Sequence, residues 1–241
     1  MDTTKKRARR AGLLYFLFSL PGPFALIYVP GKLLVRGDAA ATADRVRSSE
    51  SLLRLGIAAE LICFAGFIFV GLALYRLFKP VAEGPALAML ILNLVSVPIS
   101  FVGILGEIAA LDFAGAGGRG QFLSGFNGPQ RDSLAYLSLR LHGQGFELAG
   151  IFWGLWLIPM GICAIRSGFI PRVVGILLII AGCGYVASSF TGLALPQYSH
   201  AVDQVTSITN LGELSIIFWL LIWGARPSPS LATKSAPSAH R

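Results

Sequence analysis

Charge is scarce in this sequence. Only 13% of its 241 residues are Asp, Glu, Lys or Arg, while 54% are hydrophobic, and that balance excludes an ordinary soluble domain. Cysteine and histidine are rarer still. Cys63, Cys163 and Cys183 stand inside apolar stretches, where they read as small core residues without disulfide or zinc spacing. Three histidines are present, with no H-E-x-x-H or H-x-x-x-H spacing among them. Gly115, Gly117 and Gly120 formally match G-x-G-x-x-G, but no strand precedes them and no βαβ unit surrounds them, so the match carries no dinucleotide site. The net charge of +8 comes from Lys and Arg scattered around apolar runs, which fits anionic headgroups and excludes a nucleic-acid surface.

What fills the sequence instead is long apolar runs. Phe146 to Ile165 is 20 residues long and carries one charge, Glu147. At about 1.5 Å per residue such a run crosses the roughly 30 Å of bilayer hydrocarbon. Five more runs follow the same rule. The first, Ala11 to Val29, follows the basic segment Lys5–Arg10 and is too long for a typical signal-peptide core, so a retained helix is expected. Pro21-Gly22-Pro23 interrupts it, either as a packing kink or as a helix broken beside a polar cavity. A polar connection follows, with a short surface helix expected over Thr42–Ser49. The remaining spans are Leu52 to Phe78, Ala86 to Phe113 with a bend at Pro98, Val173 to Leu195, and Val205 to Gly224.

The expected fold is therefore all-α, a polytopic transmembrane helical bundle of six spans. Residues 1–10 form a basic cytoplasmic N-terminus, 11–226 the six-span domain, and 227–241 a disordered Pro/Ser/Ala tail. With both termini inside, 12 of the 20 Lys and Arg residues face the cytoplasm, which favours an N-in, C-in placement in a cytoplasmic membrane. The loops Ala114–Arg131 and Pro196–Gln204 then face outward. In the turn Arg166–Arg172, Gly168 supplies backbone freedom and Pro171 starts the fifth helix.

Polar residues inside these spans mark the places to look for function. Glu60 lies 16 residues before Arg76, Glu147 lies 19 before Arg166, and Glu213 lies 13 before Arg226, so all three fall in the outer half of the bilayer. Glu107 comes near the outer end of the third span. Asn93, Ser96 and Ser100 share its helix face at 3- and 4-residue steps, a polar stripe that must face other helices. Glu147-Leu-Ala-Gly-Ile-Phe-Trp echoes Glu213-Leu-Ser-Ile-Ile-Phe-Trp, with a fainter Glu60-Leu-Ile-Cys-Phe. The echo is either coincidence within a small apolar alphabet or three repeated helical hairpins, in which case the three glutamates converge on one axis. Arg54 and Arg140 lie at similar depth as supporting charges. Arg140 and Glu147 are seven apart on a face with Gly143, Gly150, Gly154 and Gly161, which allows a structural ion pair on a close-packing surface. His142 points about 140° from Glu147 on an ideal helix, so the two need not act together. Trp153, Trp156, Trp219 and Trp223 read as packing or interfacial anchors.

The stretch RSGFIPRVVGILLIIAGCGY, preceded by GLWLIPMG, resembles a bacterial multi-pass membrane family catalogued only as a domain of unknown function. The resemblance extends to RLGIAAEL at the start of the second span, to His142, and to Gly212-Glu213-Leu214. It implies no activity, and it singles out Glu60, His142 and Glu213 for attention. Three readings stand side by side. A cavity lined by Glu60, Glu107, Glu147, Glu213 and His142 binds or moves a small cation, proton or polar solute. Alternatively, His142 and glutamates hold a divalent metal that activates water in a membrane-embedded hydrolase. In the third reading the charges pair inside a structural or interaction protein. The lipid bilayer is the one partner common to all three; no cofactor is required by the sequence, and the oligomeric state is left open.

Overall fold

The structure, a computed structural model, describes residues 3–116, 123–210 and 212–225. It is all-α among those residues. The segments 117–122 of the Gly-rich loop and 226–241, with the expected tail, lie outside the described residues. Six helical segments are long and apolar enough to cross a membrane, beginning with Thr3–Leu33 and ending with Pro196–Ile222. The protein is a membrane protein.

The first span is composite. Helix α1 (Thr3–Ser19) stops at Pro21-Gly22-Pro23, and the chain resumes as a π-helical turn (Phe24–Tyr28) continuing into α2 (Val29–Leu33). Pro21 and Pro23 have no N–H, so the carbonyls of Leu17 and Ser19 lose the donors an unbroken α-helix would supply. Helix α3 (Ala39–Ser48) is the expected short surface helix, capped by Asp38, whose carboxylate accepts from the Ala41 N–H at 2.8 Å. Then come α4 (Glu50–Phe78), α5 (Glu83–Ala114), α6 (Gly128–Ser167) and α7 (Arg172–Ala194). Helix α5 runs through Pro98 without interruption. Gly168 takes the left-handed conformation that ends α6 (φ 68°), and Pro171 caps α7, as the turn residues predict.

The last span departs from expectation. Pro196–Gln204 is not a loop but part of α8 (Pro196–Asn210), followed by α9 (Gly212–Ile222). Pro196 occupies a first helical position, where its missing N–H costs nothing, and no Gly or Pro follows until Gly212.

The spans form a ring in chain order: α1 packs on α4, α4 on α5, α5 on α6, α6 on α7, and α9 on both α7 and α1. The first and last helices thus close the ring. The Arg9 guanidinium donates to the Ile222 carbonyl at 2.9 Å, which places the basic N-terminal segment beside the end of α9. The main core threads through the ring, with Tyr15, Leu74, Met89, Trp156, Leu178 and Leu220 all fully or almost fully buried. A second, smaller core lies at the opposite end, where α3 lays Ala43 and Val46 on Val29, Leu33, Leu53, Leu111 and Ala135. This layer is a lid of apolar side chains over one end of the bundle.

Candidate functional site

Beneath that lid three ionisable side chains meet. Glu60 of α4 is 0% exposed, Glu107 of α5 is 1% and His142 of α6 is 5%. His142 Nε2 lies 3.2 and 3.3 Å from the two Glu60 oxygens and 3.8 Å from Glu107 Oε1. One ligand atom from each of the three residues falls within 4.8 Å of the other two. Glu107 Oε2 is buried with no hydrogen-bond partner. A void of about 20 Å³ adjoins Glu107 and His142 and is otherwise walled by Val29, Pro30, Leu33, Leu34, Leu53 and Leu139. A water needs roughly 10–15 Å³, so the space admits one water or one ion and no organic molecule.

Small residues make this meeting possible. A Cβ on Gly106 would lie 2.5 Å from the Ser138 carbonyl oxygen and 3.0 Å from His142 N. On Gly145 it would lie 3.1 Å from the Gly103 Cα. Helices α5 and α6 therefore run nearly backbone to backbone here, and Glu107, next in sequence after Gly106, is delivered to His142. Phe146 holds the other side of the imidazole, edge to face at 4.6 Å between ring centres.

The remaining sequence candidates are elsewhere. Glu213, in the first turn of α9, accepts from the phenol of Tyr15 and, at 3.4 Å, from that of Tyr185. It lines a separate cavity of about 300 Å³, which Glu60 does not border. Glu147 turns towards α7, where a Cβ on Gly192 would lie 3.1 Å from its carboxylate. The three echoing glutamates therefore do not converge on one axis. They point to three different neighbours because the ring has no open centre: Tyr15 contacts Trp156 across it, with ring centres 5.6 Å apart.

The supporting charges do not reach the cluster. Arg54 is exposed and pairs with Glu50 at 2.6 Å, one helical turn earlier. Arg140 is exposed and makes no ion pair with Glu147, since two turns of helix separate their Cα atoms by about 10 Å along the axis. Of the glycine face proposed with them, Gly150, Gly154 and Gly161 pack on α7, whereas Gly143 faces open space. Asn93, Ser96 and Ser100 are buried on one face of α5 as their spacing predicts. Both serines bond within the helix, Ser96 Oγ to the Asn93 carbonyl at 2.7 Å and Ser100 Oγ to the Ser96 carbonyl at 3.0 Å, so the stripe stays separate from the carboxylates.

Sequence reasoning missed Tyr15 and Tyr185. A tyrosine in an apolar span looks like packing until its partner is known, and the partner of Tyr15 is 198 positions away. One signal was present: Ala8, Ala11, Gly12 and Tyr15 follow 3- and 4-residue steps, and they are the buried face of α1. Trp153 and Trp156 pack in the main core as expected, and both also line the Glu213 cavity.

An uncharacterized protein of Archaeoglobus fulgidus is 26% identical over 166 residues, covering 69% of this chain and 82% of that protein. No solved structure matches significantly. The profile of the DUF4386 family, a domain of unknown function, matches residues 10–224. Because that match takes in all six spans and every residue of the buried cluster, the chain belongs to the DUF4386 family.

Proposed function

We propose that the protein binds a small cation at Glu60, Glu107 and His142: a divalent metal ion, with protons occupying the same carboxylates when the metal is absent. The observation that carries this reading is the burial of two carboxylates beside one imidazole with no Arg or Lys within ion-pair distance among the described residues. Uncompensated charge in a low-dielectric site is very costly. Two carboxylates and a neutral imidazole balance a doubly charged ion. The donor set of one nitrogen and two oxygens suits zinc, manganese or ferrous iron. Tetrahedral ligands about 2.1 Å from zinc lie roughly 3.4 Å apart, so the cluster needs only a small contraction to close on an ion. The hydrolase reading fares worse, because a void of about 20 Å³ has no room for a substrate. The structural reading relied on Arg–Glu pairing at this depth, and the described arginines pair elsewhere or lie exposed.

The orientation belongs to the same proposal. Arg7, Arg10, Arg76 and Lys79 line one recess at the end of the bundle opposite the lid. By the positive-inside tendency that end is cytoplasmic, in the cytoplasmic membrane, and the cluster lies towards the outer face. A membrane-impermeant maleimide applied to intact cells should label a cysteine placed at Gly125 and spare one at Gly84. The reverse pattern defeats the orientation.

Metal binding is tested on the purified full chain by isothermal titration with zinc and manganese, with proton release followed in weak buffer. One equivalent should bind and release protons. Loss of an outer-shell partner of a metal commonly costs about 10–100-fold, so Glu107→Gln, which removes a direct ligand, should cost at least that much. No uptake by the parent, or equal uptake by Glu60→Gln, Glu107→Gln and the parent, removes the proposal.

A further inference from the structure

We infer that the cavity around Glu213 is a second binding site, for a hydrophobic organic ammonium ion that enters sideways from the bilayer. The cavity encloses about 300 Å³ and is bounded by the break in the first span, α4, α6, α7 and α9. That volume is at the small end of the range for organic ligands. Its lining combines one carboxylate with the faces or edges of Phe64, Phe67, Trp153, Trp156 and Tyr185.

Three observations select the occupant. Among the described residues, Glu213 is the sole acidic or basic residue of the lining, and no Lys or Arg is within ion-pair distance to compensate it. A neutral acyl chain would fill the apolar space and leave that carboxylate without a counter-charge. Five aromatic side chains around one carboxylate are the environment that favours a cation carried on an apolar body, since the ring faces attract positive charge and the carboxylate fixes it. Second, Ser19 Oγ lines the same space, is buried and has no hydrogen-bond partner. It stands at the Pro21-Gly22-Pro23 break and is free to accept an N–H. Third, Ile27 and Leu214 on the lining are 72% and 44% exposed on the outside of the bundle, so the mouth opens towards lipid. Tyr15, outside the lining, and Tyr185, within it, each donate to the carboxylate and leave its remaining lone pairs to a ligand. Depth agrees with this reading. Glu213 is nine residues from Ile222, about 14 Å along the helix and near the middle of a bilayer, where broken helices commonly flank solute sites.

The test compares benzyldimethylammonium, which carries one N–H, with isobutylbenzene, its uncharged carbon analogue of the same shape. Both are measured by equilibrium dialysis against the full chain in nanodiscs, with empty nanodiscs subtracted. The cation should bind saturably, with tryptophan fluorescence changing in parallel, and Glu213→Gln should weaken it at least about tenfold while leaving the neutral analogue unchanged. Phe67→Leu, which keeps an apolar wall but removes a ring, should weaken the cation more than the analogue and serves as the deciding variant if Glu213→Gln does not fold. Equal binding of the two compounds, no saturable binding of the cation, or full retention of cation binding by a folded variant overturns the inference. Preference for the neutral analogue does so too, and would mark the cavity as a lipid-tail pocket.

Discussion

Glu60 and Glu213 are the same residue type inside the same bundle, yet their surroundings have little in common. Glu60 is sealed under an apolar lid, shares an imidazole with a second carboxylate, and adjoins space for a single small particle. Glu213 is half-buried, is held by two phenols, and opens on a chamber some fifteen times larger walled by aromatic rings. Cys63, one turn beyond Glu60 on α4, lines the larger chamber, so a single helix turn divides the two environments. The contrast shows that a carboxylate in a membrane span specifies little by itself. The partner groups and the room beside it decide whether a bare ion or an organic molecule fits.

The sharpest way to break the contrast is to part the helices that create the closed site. Gly106→Leu forces a side chain into the Ser138 carbonyl and the His142 backbone. Overpacking costs about 1–3 kcal/mol and occasionally more; backbone against backbone puts this case at the upper end. Folded yield should fall, and whatever folds should take up no metal. Titration of the residual folded fraction checks this, and metal uptake at the parent level would show that α5 and α6 do not form the site.

Next in size is a crossed exchange. Glu60→Gln should abolish metal uptake and leave ammonium binding within about twofold, whereas Glu213→Gln should do the opposite; twofold is only about 0.4 kcal/mol. Loss of both functions in either variant would mean that the environments are one, not two.

Within the larger chamber, Tyr15→Phe should destabilise more than Tyr185→Phe. The Tyr15 phenol is fully buried and bonds Glu213 closely, and a hydrogen bond to a charged group is worth about 1.5–3 kcal/mol. The Tyr185 contact, at 3.4 Å, belongs nearer 0.5–1.5 kcal/mol. Thermal unfolding in one detergent ranks the two, and an inverted order would reassign the principal anchor of Glu213.

The smallest effect belongs to Arg54. Its pair with Glu50 is an exposed i,i+4 contact, worth about 0.3–0.5 kcal/mol. Arg54→Ala should leave metal affinity unchanged, and a loss beyond about tenfold would restore this arginine to the site.

These particulars also show what the sequence could and could not disclose. Span lengths and apolar runs are local, so the six-helix bundle, the Gly168 turn and the buried stripe of α5 were legible. Depth along a helix was legible as well, which is why Glu60, Glu107 and His142 appeared together as candidates. Azimuth between helices was not. Whether Glu107 reaches His142 depends on how closely α5 approaches α6, and that is set by glycine contacts across the interface. The arginines misled for the same reason. Matching depth suggested pairing, but Arg54 and Arg140 point outward. Helix α8 was hidden by a polar stretch that reads as a loop unless its first residue is recognised as a helix start.

Closure of the ring by α1 on α9 also governs when the molecule can be completed during its synthesis. The first helix leaves the ribosome with its small-residue face ready, but the surface that covers it is made last. At roughly 5–20 residues per second, the interval between α2 and α9 is about ten to forty seconds. Throughout that time the face that carries Gly12 must sit against lipid, an insertion factor or the helices already made. A nascent chain arrested before Gly212 would present this unfinished seam to quality control, and the Tyr15–Glu213 bond would be among the last contacts to form.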